Sequence, residues 1–443
     1  MITMQNRKHV SIFVSILILV SISCSGLGNG TDASSVPSDG TPSTYRSPTL
    51  GITSTFTPTF SPSLTWTLTP DPIPHLRATY VAISGNVCAI TTVGGLVCWG
   101  SNREGQLGDG TNIDSYTPVN VVGLSSGVVS VDGGLGHACA VTDAGVVKCW
   151  GDGIKTTQVE EAPTKSNNVP VDVVNLPGEA TDVVIDKFDT CVLTRTGGVK
   201  CWANNQYNIA PVDIYGLTSG VQAIAAGEEF TCALTKTGAV KCWGDNTSGQ
   251  LGNGKGEKYN SKTSSEIPVD VIGLSSGVTA IAAGSEHACA LTSAGGVKCW
   301  GQNYYGELGD GTGGLDTDEN EYRNSPVDVI GMSDSVRAIY AGRYNTCAQV
   351  RPSGYKCWGE STLILLSEIM GETQNIPIEV PFLREGFRSI SIEGGIMCGI
   401  QDDYSVMCWG YNPVDWYDGT IIEEFISPVY IPCPDCAQET PTQ

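Results

Sequence analysis

Cysteine is the residue type here whose number and spacing could do chemistry. The chain has 443 residues and 17 cysteines. Fourteen of them fall into seven pairs, Cys88/Cys98, Cys139/Cys149, Cys191/Cys201, Cys232/Cys242, Cys289/Cys299, Cys347/Cys357 and Cys398/Cys408, all with a spacing of ten. Paired thiols can hold a metal, carry out redox chemistry or close as disulfides. A zinc site wants four ligands close together, at spacings such as C-x2-C. A spacing of ten, repeated seven times with no ring of histidines, does not supply that. It does fit a β-hairpin. If Cys289 faces Cys299, then Ala290 faces Lys298, Leu291 faces Val297 and Thr292 faces Gly296, leaving three loop residues. Such a loop favours Gly at its last position, in the left-handed conformation. Gly94, Gly145, Gly197, Gly238 and Gly295 occupy it in the first five units. Ser353 and Tyr404 occupy it in the last two, where a different turn is expected. Directly opposed Cα atoms lie about 4.5 to 5.5 Å apart, and a disulfide spans about 4.4 to 6.8 Å. Each pair can therefore close across its own hairpin.

Three cysteines lie outside this ladder. Cys433-Pro-Asp-Cys436 is a C-x-x-C, a spacing that also serves redox sites. It sits in a Pro-rich tail rather than at a helix start, so a small terminal disulfide is the reading adopted. Cys24 follows Arg7, Lys8 and an apolar run from Val10 to Ile22. That is the layout of a secretory signal peptide, and the run falls short of the ~20 residues needed to cross a bilayer. The site resembles a bacterial lipobox with Cys24 as the lipidated residue, although Ser21 stands where that motif usually has Leu. Ser21-Ile22-Ser23 would also suit an ordinary signal peptidase. Lipidation would leave the protein anchored to a membrane by acyl chains alone.

Other chemistry-bearing residues read as structural. Gly123-Leu124-Ser125-Ser126-Gly127 and Gly273-Leu274-Ser275-Ser276-Gly277 match the G-x-S-x-G of a nucleophile elbow. They recur as a connector, and Thr218 replaces the would-be nucleophile in Gly216-Leu217-Thr218-Ser219-Gly220. His137 and His287 stand two residues before a first cysteine, where other units have Asn86, Asp189, Phe230, Asn345 and Ile396. That mixture suits hydrogen bonding rather than a catalytic or metal ring. Lys148, Lys200, Lys241, Lys298 and Lys356 precede a Cys-Trp, and are expected to lay their stems along the sheet with their heads in solvent. Asp316, Asp318 and Asn320 begin like a calcium loop but lack its later Gly and Glu. No catalytic residue, metal or cofactor is expected, and the chain is not read as an enzyme.

The elements that position these residues recur too. Every second cysteine is followed by Trp, at 99, 150, 202, 243, 300, 358 and 409. Each unit ends near Pro-Val or Pro-Ile, at Pro118, Pro170, Pro211, Pro268, Pro326, Pro377 and Pro428. Successive Cys-Trp steps are 41 to 58 residues apart. A unit that small holds three or four short strands and cannot bury both sheet faces alone, so neighbours must stack. Seven such units closing into a ring make an all-β, seven-bladed β-propeller with one disulfide hairpin per blade. The organisation expected is a signal peptide over 1–23, a Ser/Thr/Pro-rich disordered tether over 24–75, the propeller over 76–432 and a tail over 433–443. Residues 31–70 contain 25 Ser, Thr or Pro in 40, too polar a stretch to offset chain entropy by burial.

Gly136-His137-Ala138-Cys139-Ala140-Val141-Thr142, Val240-Lys241-Cys242-Trp243-Gly244 and Gly105-Gln106-Leu107-Gly108-Asp109-Gly110-Thr111 resemble the repeat of the regulator of chromosome condensation family. The likeness covers about residues 76–432 and implies a seven-bladed propeller. The cysteine pairs resemble those of exported bacterial members. The Gly-Gln-Leu-Gly element survives only in units 1 and 4 and, as Gly306-Glu307-Leu308-Gly309, in unit 5. The family's functions differ widely, from nucleotide exchange on a nuclear GTPase with chromatin binding to inhibition of β-lactamases, and fold alone does not choose among them.

Charge narrows the partner. Acids outnumber bases 46 to 24, for a net charge of -22. Nucleic-acid binding rests on Lys and Arg neutralising phosphates, so no nucleic-acid partner is expected, and nucleotide exchange on a nuclear GTPase is disfavoured in an exported chain. The longest irregular segments follow Cys-Trp, at about 152–168, 245–266, 302–325, 359–375 and 411–426. Being equivalent in phase, they should share one rim. They carry Tyr259, Tyr304, Tyr305, Tyr322, Tyr411, Trp416 and Tyr417, aromatic residues of the kind that anchor interfaces. The expected function is that of a monomeric, non-catalytic recognition module at the bacterial cell envelope, binding a protein partner through this rim. Inhibition of an extracytoplasmic enzyme and binding of a glycan or cell wall are the alternatives.

Overall fold

The middle strands of a blade are mostly buried, as in His287–Thr292, while the last is more exposed, as in Tyr322–Asp328, a gradient that places them from the inside of a structure outward. The computed structural model describes residues 75–433 except 135, 153–165, 177, 188, 204–209, 257–262, 315–321, 353, 361–372, 384–385 and 412–423. They form seven four-stranded antiparallel sheets, each built from one repeat with its strands in chain order. The first blade comprises Ala78–Ser84, Asn86–Thr91, Leu96–Gly100 and Ser115–Asn120. The fifth comprises Val278–Ala283, His287–Thr292, Val297–Gln302 and Tyr322–Asp328. The first strands of all seven blades line one central cavity of about 440 Å³. The arrangement is the seven-bladed propeller that the repeats imply.

All seven expected cysteine pairs are bonded: Cys88–Cys98, Cys139–Cys149, Cys191–Cys201, Cys232–Cys242, Cys289–Cys299, Cys347–Cys357 and Cys398–Cys408. The register is the expected one: Cys289 faces Cys299, Ala290 faces Lys298 and Leu291 faces Val297. The separation departs from expectation. Each pair has a Cα–Cα distance of 4.1 Å, just below the lower end of the expected span. The hydrogen-bond pattern accounts for the direction of that difference. Val297 N–H donates away from the hairpin, to Met332 O, so Leu291 and Val297 are not a hydrogen-bonded pair. By alternation neither are Cys289 and Cys299, and pairs of that type stand closer than the others. Cys433 is also disulfide-bonded, while its expected partner Cys436 lies outside the described residues, as does Cys24.

The hairpin turn of the seventh blade corrects an expectation. Tyr404 adopts a φ of 72°, beside 83° for Gly295, and its N–H donates to the Gln401 carbonyl at 2.9 Å as Gly295 does to Thr292. The turn is thus the same, with a tyrosine in the left-handed region that ordinarily favours glycine. The Arg388 guanidinium lies over the Tyr404 ring, 4.3 Å from its centre. In the sixth blade Ser353 lies outside the described residues, yet Val350 N–H still donates to the Gly354 carbonyl at 3.0 Å.

Adjacent residues on a strand point to opposite faces. Cys and the Trp after it therefore serve different interfaces. Each blade's disulfide packs in one core with the Trp of the next blade. Cys88 and Cys98 meet Trp150, Cys139 and Cys149 meet Trp202, and Cys191 and Cys201 meet Trp243. Cys232 and Cys242 meet Trp300, Cys289 and Cys299 meet Trp358, and Cys347 and Cys357 meet Trp409. The ring closes with Cys398 and Cys408 against Trp99 of the first blade.

The Gly-Gln-Leu-Gly element has a place in the same arrangement. Trp150, Trp300 and Trp358 donate through Nε1 to the carbonyls of Gln106, Gln250 and Glu307 in the preceding blade, at 2.8, 2.9 and 2.8 Å. A Cβ on the following Gly108, Gly252 or Gly309 would sit 2.8 Å from that indole nitrogen. The blade before Trp409 lacks the element, and the latch is missing there. Trp409 Nε1 has no acceptor among the described residues.

No strand is exchanged between the first and last blades. Instead Leu76, 1% exposed, enters the seventh blade. Its N–H donates to Ile431 O and its carbonyl accepts from Val406 N–H, at 2.7 and 3.0 Å. Leu124 makes the same two kinds of bond, to Val121 and Leu96, in the first blade's connector. Leu76 is thus the connector residue of the last blade, supplied from the start of the ring.

Each outer strand is an open sheet edge, the kind of surface that pairs with other chains unless it is blunted. Proline cannot donate to a ladder and is at home on such edges. Pro118, Pro170, Pro268, Pro326, Pro377 and Pro428 all lie on outer strands, and Pro211 immediately precedes one.

A pair of substitutions in the fourth blade's loops checks the latch. Gly252 and Gly273 have φ of 62° and 73°, but a Cβ on Gly273 meets nothing within 4 Å. Gly273→Ala should cost about 1 to 2 kcal/mol from backbone conformation alone. Gly252→Ala should cost a further ~1 to 3 kcal/mol from crowding Trp300, read by denaturant unfolding of the oxidised protein.

Candidate functional site

Because strands alternate in direction, the turn between a blade's first two strands and the loop between its last two emerge on the same face. The loops expected to share a rim do so. Much of each lies outside the described residues, and with it Tyr259, Trp416, Tyr417 and the acidic trio Asp316, Asp318 and Asn320. Two of the other expected loop residues belong to strands. Tyr322 pairs with Gln302 and Tyr411 with Glu424, because the ladder runs past Cys-Trp by two or three residues. Among the described residues no group of three or more His, Cys, Asp or Glu is placed to hold a metal.

Tyr304 and Tyr305 do come together. The Tyr304 ring is edge-on to Tyr305, with centres 4.9 Å apart and planes at 85°. Tyr305 in turn meets Tyr344, at 4.9 Å and 40°. The Arg343 guanidinium lies over Tyr344, 5.2 Å from its centre. Tyr304 is 40% exposed. Tyr344 lies in the short turn of the sixth blade, which an inventory of long loops passes over. The cue available was that this short turn opens on the same face.

The fifth-blade loop is held by its own polar residues. Asn303 accepts from Leu308 N–H through Oδ1 at 3.1 Å and donates through Nδ2 to Thr312 Oγ1 at 2.9 Å. Arg323 pairs with Asp310 at 3.1 Å. Asn102 and Asn246 play Asn303's part in blades 1 and 4, accepting from Leu107 and Leu251. Tyr305 N–H donates to Glu307 Oε2 at 2.7 Å, as Glu104 does to Gln106 and Ser248 to Gln250. Glu307 is wholly buried and its Oε1 has no partner, so burial pushes its carboxyl up to about 8.

At the cavity mouth the short turns join through main-chain bonds: Lys187 N–H to Glu228 O, Glu228 N–H to Ser285 O and Ser285 N–H to Arg343 O, at 2.7, 2.9 and 3.2 Å. Lys187 also pairs with the side chains of Glu228 and Glu229, at 3.3 and 3.0 Å. Inside the cavity wall, burial lifts Asp132 to about 7 against two backbone N–H donors, from Ile185 and Gly133. Glu393 is also lifted to about 7 by burial, opposed by Arg343.

Several residues weighed for chemistry take structural places. His287 is fully buried with Nε2 2.9 Å from Thr346 Oγ1 of the next blade, and burial lowers it to about 4. His137 is likewise buried and lowered to about 4. In the G-x-S-x-G connectors Leu124 and Leu274 are buried in the blade cores, and a strand follows each connector where an elbow needs a helix. Four of the five lysines before Cys-Trp do not present free heads. Lys148, Lys200, Lys241 and Lys298 pair across to Asp172, Asp213, Asp270 and Asp328 on the outer strands. Lys200–Asp213 is 2.7 Å and Lys298–Asp328 2.6 Å. Each outer strand runs beside the lysine-bearing one, which puts Asp directly opposite.

Models of the regulator of chromosome condensation (RCC1) repeat match residues 94–141 and 237–291, and a second such model matches 221–250 and 278–307. The ultraviolet-B receptor UVR8 of Arabidopsis thaliana is 27% identical over 302 residues, 66% of this chain and 56% of the receptor. Ras guanine nucleotide exchange factor C of Dictyostelium discoideum is 34% identical over 104 residues, 23% of this chain and 7% of that protein. The chain thus spans about half the length of the first and a small part of the second. Among solved structures, Prp20p of Saccharomyces cerevisiae, studied for its binding to Gsp1p and histones, superposes with a TM-score of 0.64 at 17% identity. That match covers 81% of this chain and 88% of Prp20p, and it shows the fold.

Fold and repeats together define a seven-bladed propeller built from repeats of the RCC1 type. The chain carries repeats of the RCC1 family over the matched residues.

Glu307 yields a pH-dependent test. A carboxyl raised in the folded state contributes stability that is fully present below its unfolded pKa and lost as pH rises through its folded one. For Glu307 the window runs from its ordinary value to about 8. Glu307→Gln restores the residue of blades 1 and 4 and should raise the melting temperature at pH 9 clearly more than at pH 5. Equal shifts at both would contradict a buried, protonated carboxyl.

Proposed function

We propose that this protein is a non-catalytic recognition module that binds a protein partner through the propeller face bearing Tyr304, Tyr305 and Tyr344. The observation that carries this reading is the linked aromatic cluster on the loop face, with Tyr304 40% exposed on a loop held by its own hydrogen bonds. A preorganised aromatic surface of this type loses little entropy on binding, which is where interface anchors gain their affinity. Prp20p, with a similar propeller, binds Gsp1p and histones. The reading includes a location at the bacterial cell envelope, with Cys24 lipidated and residues 24–75 as tether. Seven disulfides suit an oxidising compartment. No helix among the described residues is long and apolar enough to cross a membrane.

Affinity capture from envelope extract tests it, with full-length bait carrying Cys24→Ser beside bait also carrying Tyr304→Ala, Tyr305→Ala, Trp416→Ala and Tyr417→Ala. A protein held by the first and lost by the second is expected. If that protein is an extracytoplasmic enzyme inhibited on stoichiometric binding, the module is an inhibitor. Retention of only peptidoglycan or other glycan would overturn the protein-partner reading.

A further inference from the structure

The Tyr304–Tyr305 corner has a shape and a charge that together specify what it accepts. Its two rings stand edge to face at 85° with centres 4.9 Å apart, so their faces are turned at about a right angle to one another. The faces of aromatic rings are negative and attract cations. The third ring of the cluster shows the pairing already made, since Arg343 lies over Tyr344. No cation of the chain lies over Tyr304 or Tyr305 among the described residues.

The carboxylates nearby point the same way. Glu360 is placed by its N–H, which donates to Tyr344 O at 2.8 Å. Its carboxylate is in no salt bridge among the described residues, and burial raises it, with Arg343 opposing. Glu360 acts on the Tyr305 phenol, and raises it after burial itself. Glu286, in the fifth blade's short turn and near enough to act on Glu307, accepts from Ser248 Oγ at 2.7 Å. An arriving cation would relieve this crowding of negative charge, and an arriving anion would worsen it. The whole chain carries -22, so long-range attraction also favours a basic partner.

We propose that the Tyr304–Tyr305 corner, with Glu360 beside it, receives a Lys or Arg side chain from a basic segment of the protein partner. The inference rests on the recognition reading above and gives it a chemistry. The corner supplies the specific contact, and the net negative charge supplies attraction that any polycation would feel. The two contributions are separable.

A fluorescein-labelled Gly-Arg-Gly-Arg-Gly peptide is the probe, with Gly-Gln-Gly-Gln-Gly as the neutral control, followed by anisotropy at 50 and 150 mM salt on the full-length chain carrying Cys24→Ser. Asp143, an exposed acid in the hairpin turn on the opposite face, provides the charge control. The arginine peptide should bind and the glutamine peptide should not. Tyr304→Ala should weaken binding about threefold to tenfold, as loss of a cation–π contact does. Glu360→Gln should weaken it comparably, and Asp143→Asn should leave it unchanged. Tyr304→Phe, which keeps the ring, should retain most of the binding. Equal losses for Asp143→Asn and Glu360→Gln would show diffuse attraction and overturn the proposal, as would no binding of the arginine peptide. A neutral or acidic protein captured through the same face, with no binding of the peptide, would overturn this inference and leave the recognition reading intact.

Discussion

The structure depends on the register of the middle hairpin of each blade. Because Cys and Trp are neighbours on one strand, their side chains leave on opposite faces. A disulfide thus points at the next blade, and an indole points back at the previous one. Every inter-blade core described contains that pairing, including the one that joins the last blade to the first. A slip of one residue would turn both groups to the wrong side at once. The bond between Cys residues ten apart forbids the slip. A short loop closed by a disulfide is worth roughly 2 to 3 kcal/mol in the chain-entropy account. In this fold its larger consequence is geometric, because it locks the positions of the groups that make neighbouring blades stack.

Stacking then positions the loops. Trp150, Trp300 and Trp358 each reach into a Gly-Gln-Leu-Gly or Gly-Glu-Leu-Gly loop of the blade before, and the glycine after Leu leaves room for the ring. Each such loop is pinned from outside by the next blade and from inside by an Asn side chain. Tyr304 and Tyr305 ride on one of these pinned loops, and Tyr344 comes from the neighbouring blade. The aromatic surface is therefore a product of blade packing, and it exists only where two blades meet in register.

Much of this was legible in the residues. The spacing of ten, the turn Gly of the first five hairpins and the sevenfold Cys-Trp specify the hairpin, its turn and the blade count. What was not legible depends on groups that meet only in the folded ring. Tyr404 adopts a left-handed φ that residue type alone argues against, held by the same closing bonds as its glycine counterparts and covered by Arg388. Leu76 reads only as the first residue of the propeller, and its role as the missing connector of blade 7 appears only when the ring closes. The lysine–aspartate pairs needed the outer strand's register, which loops of variable length conceal. Tyr344 lies some 40 residues from Tyr304 in sequence, and their proximity through Tyr305 is set by inter-blade packing.

Peptide mapping of the protein isolated under non-reducing conditions, with free thiols alkylated beforehand, tests the central claim most directly. The account predicts seven cross-linked pairs, each joining cysteines ten residues apart, from Cys88–Cys98 to Cys398–Cys408. Alkylated cysteines within the blades, or links from one blade to another, would contradict it.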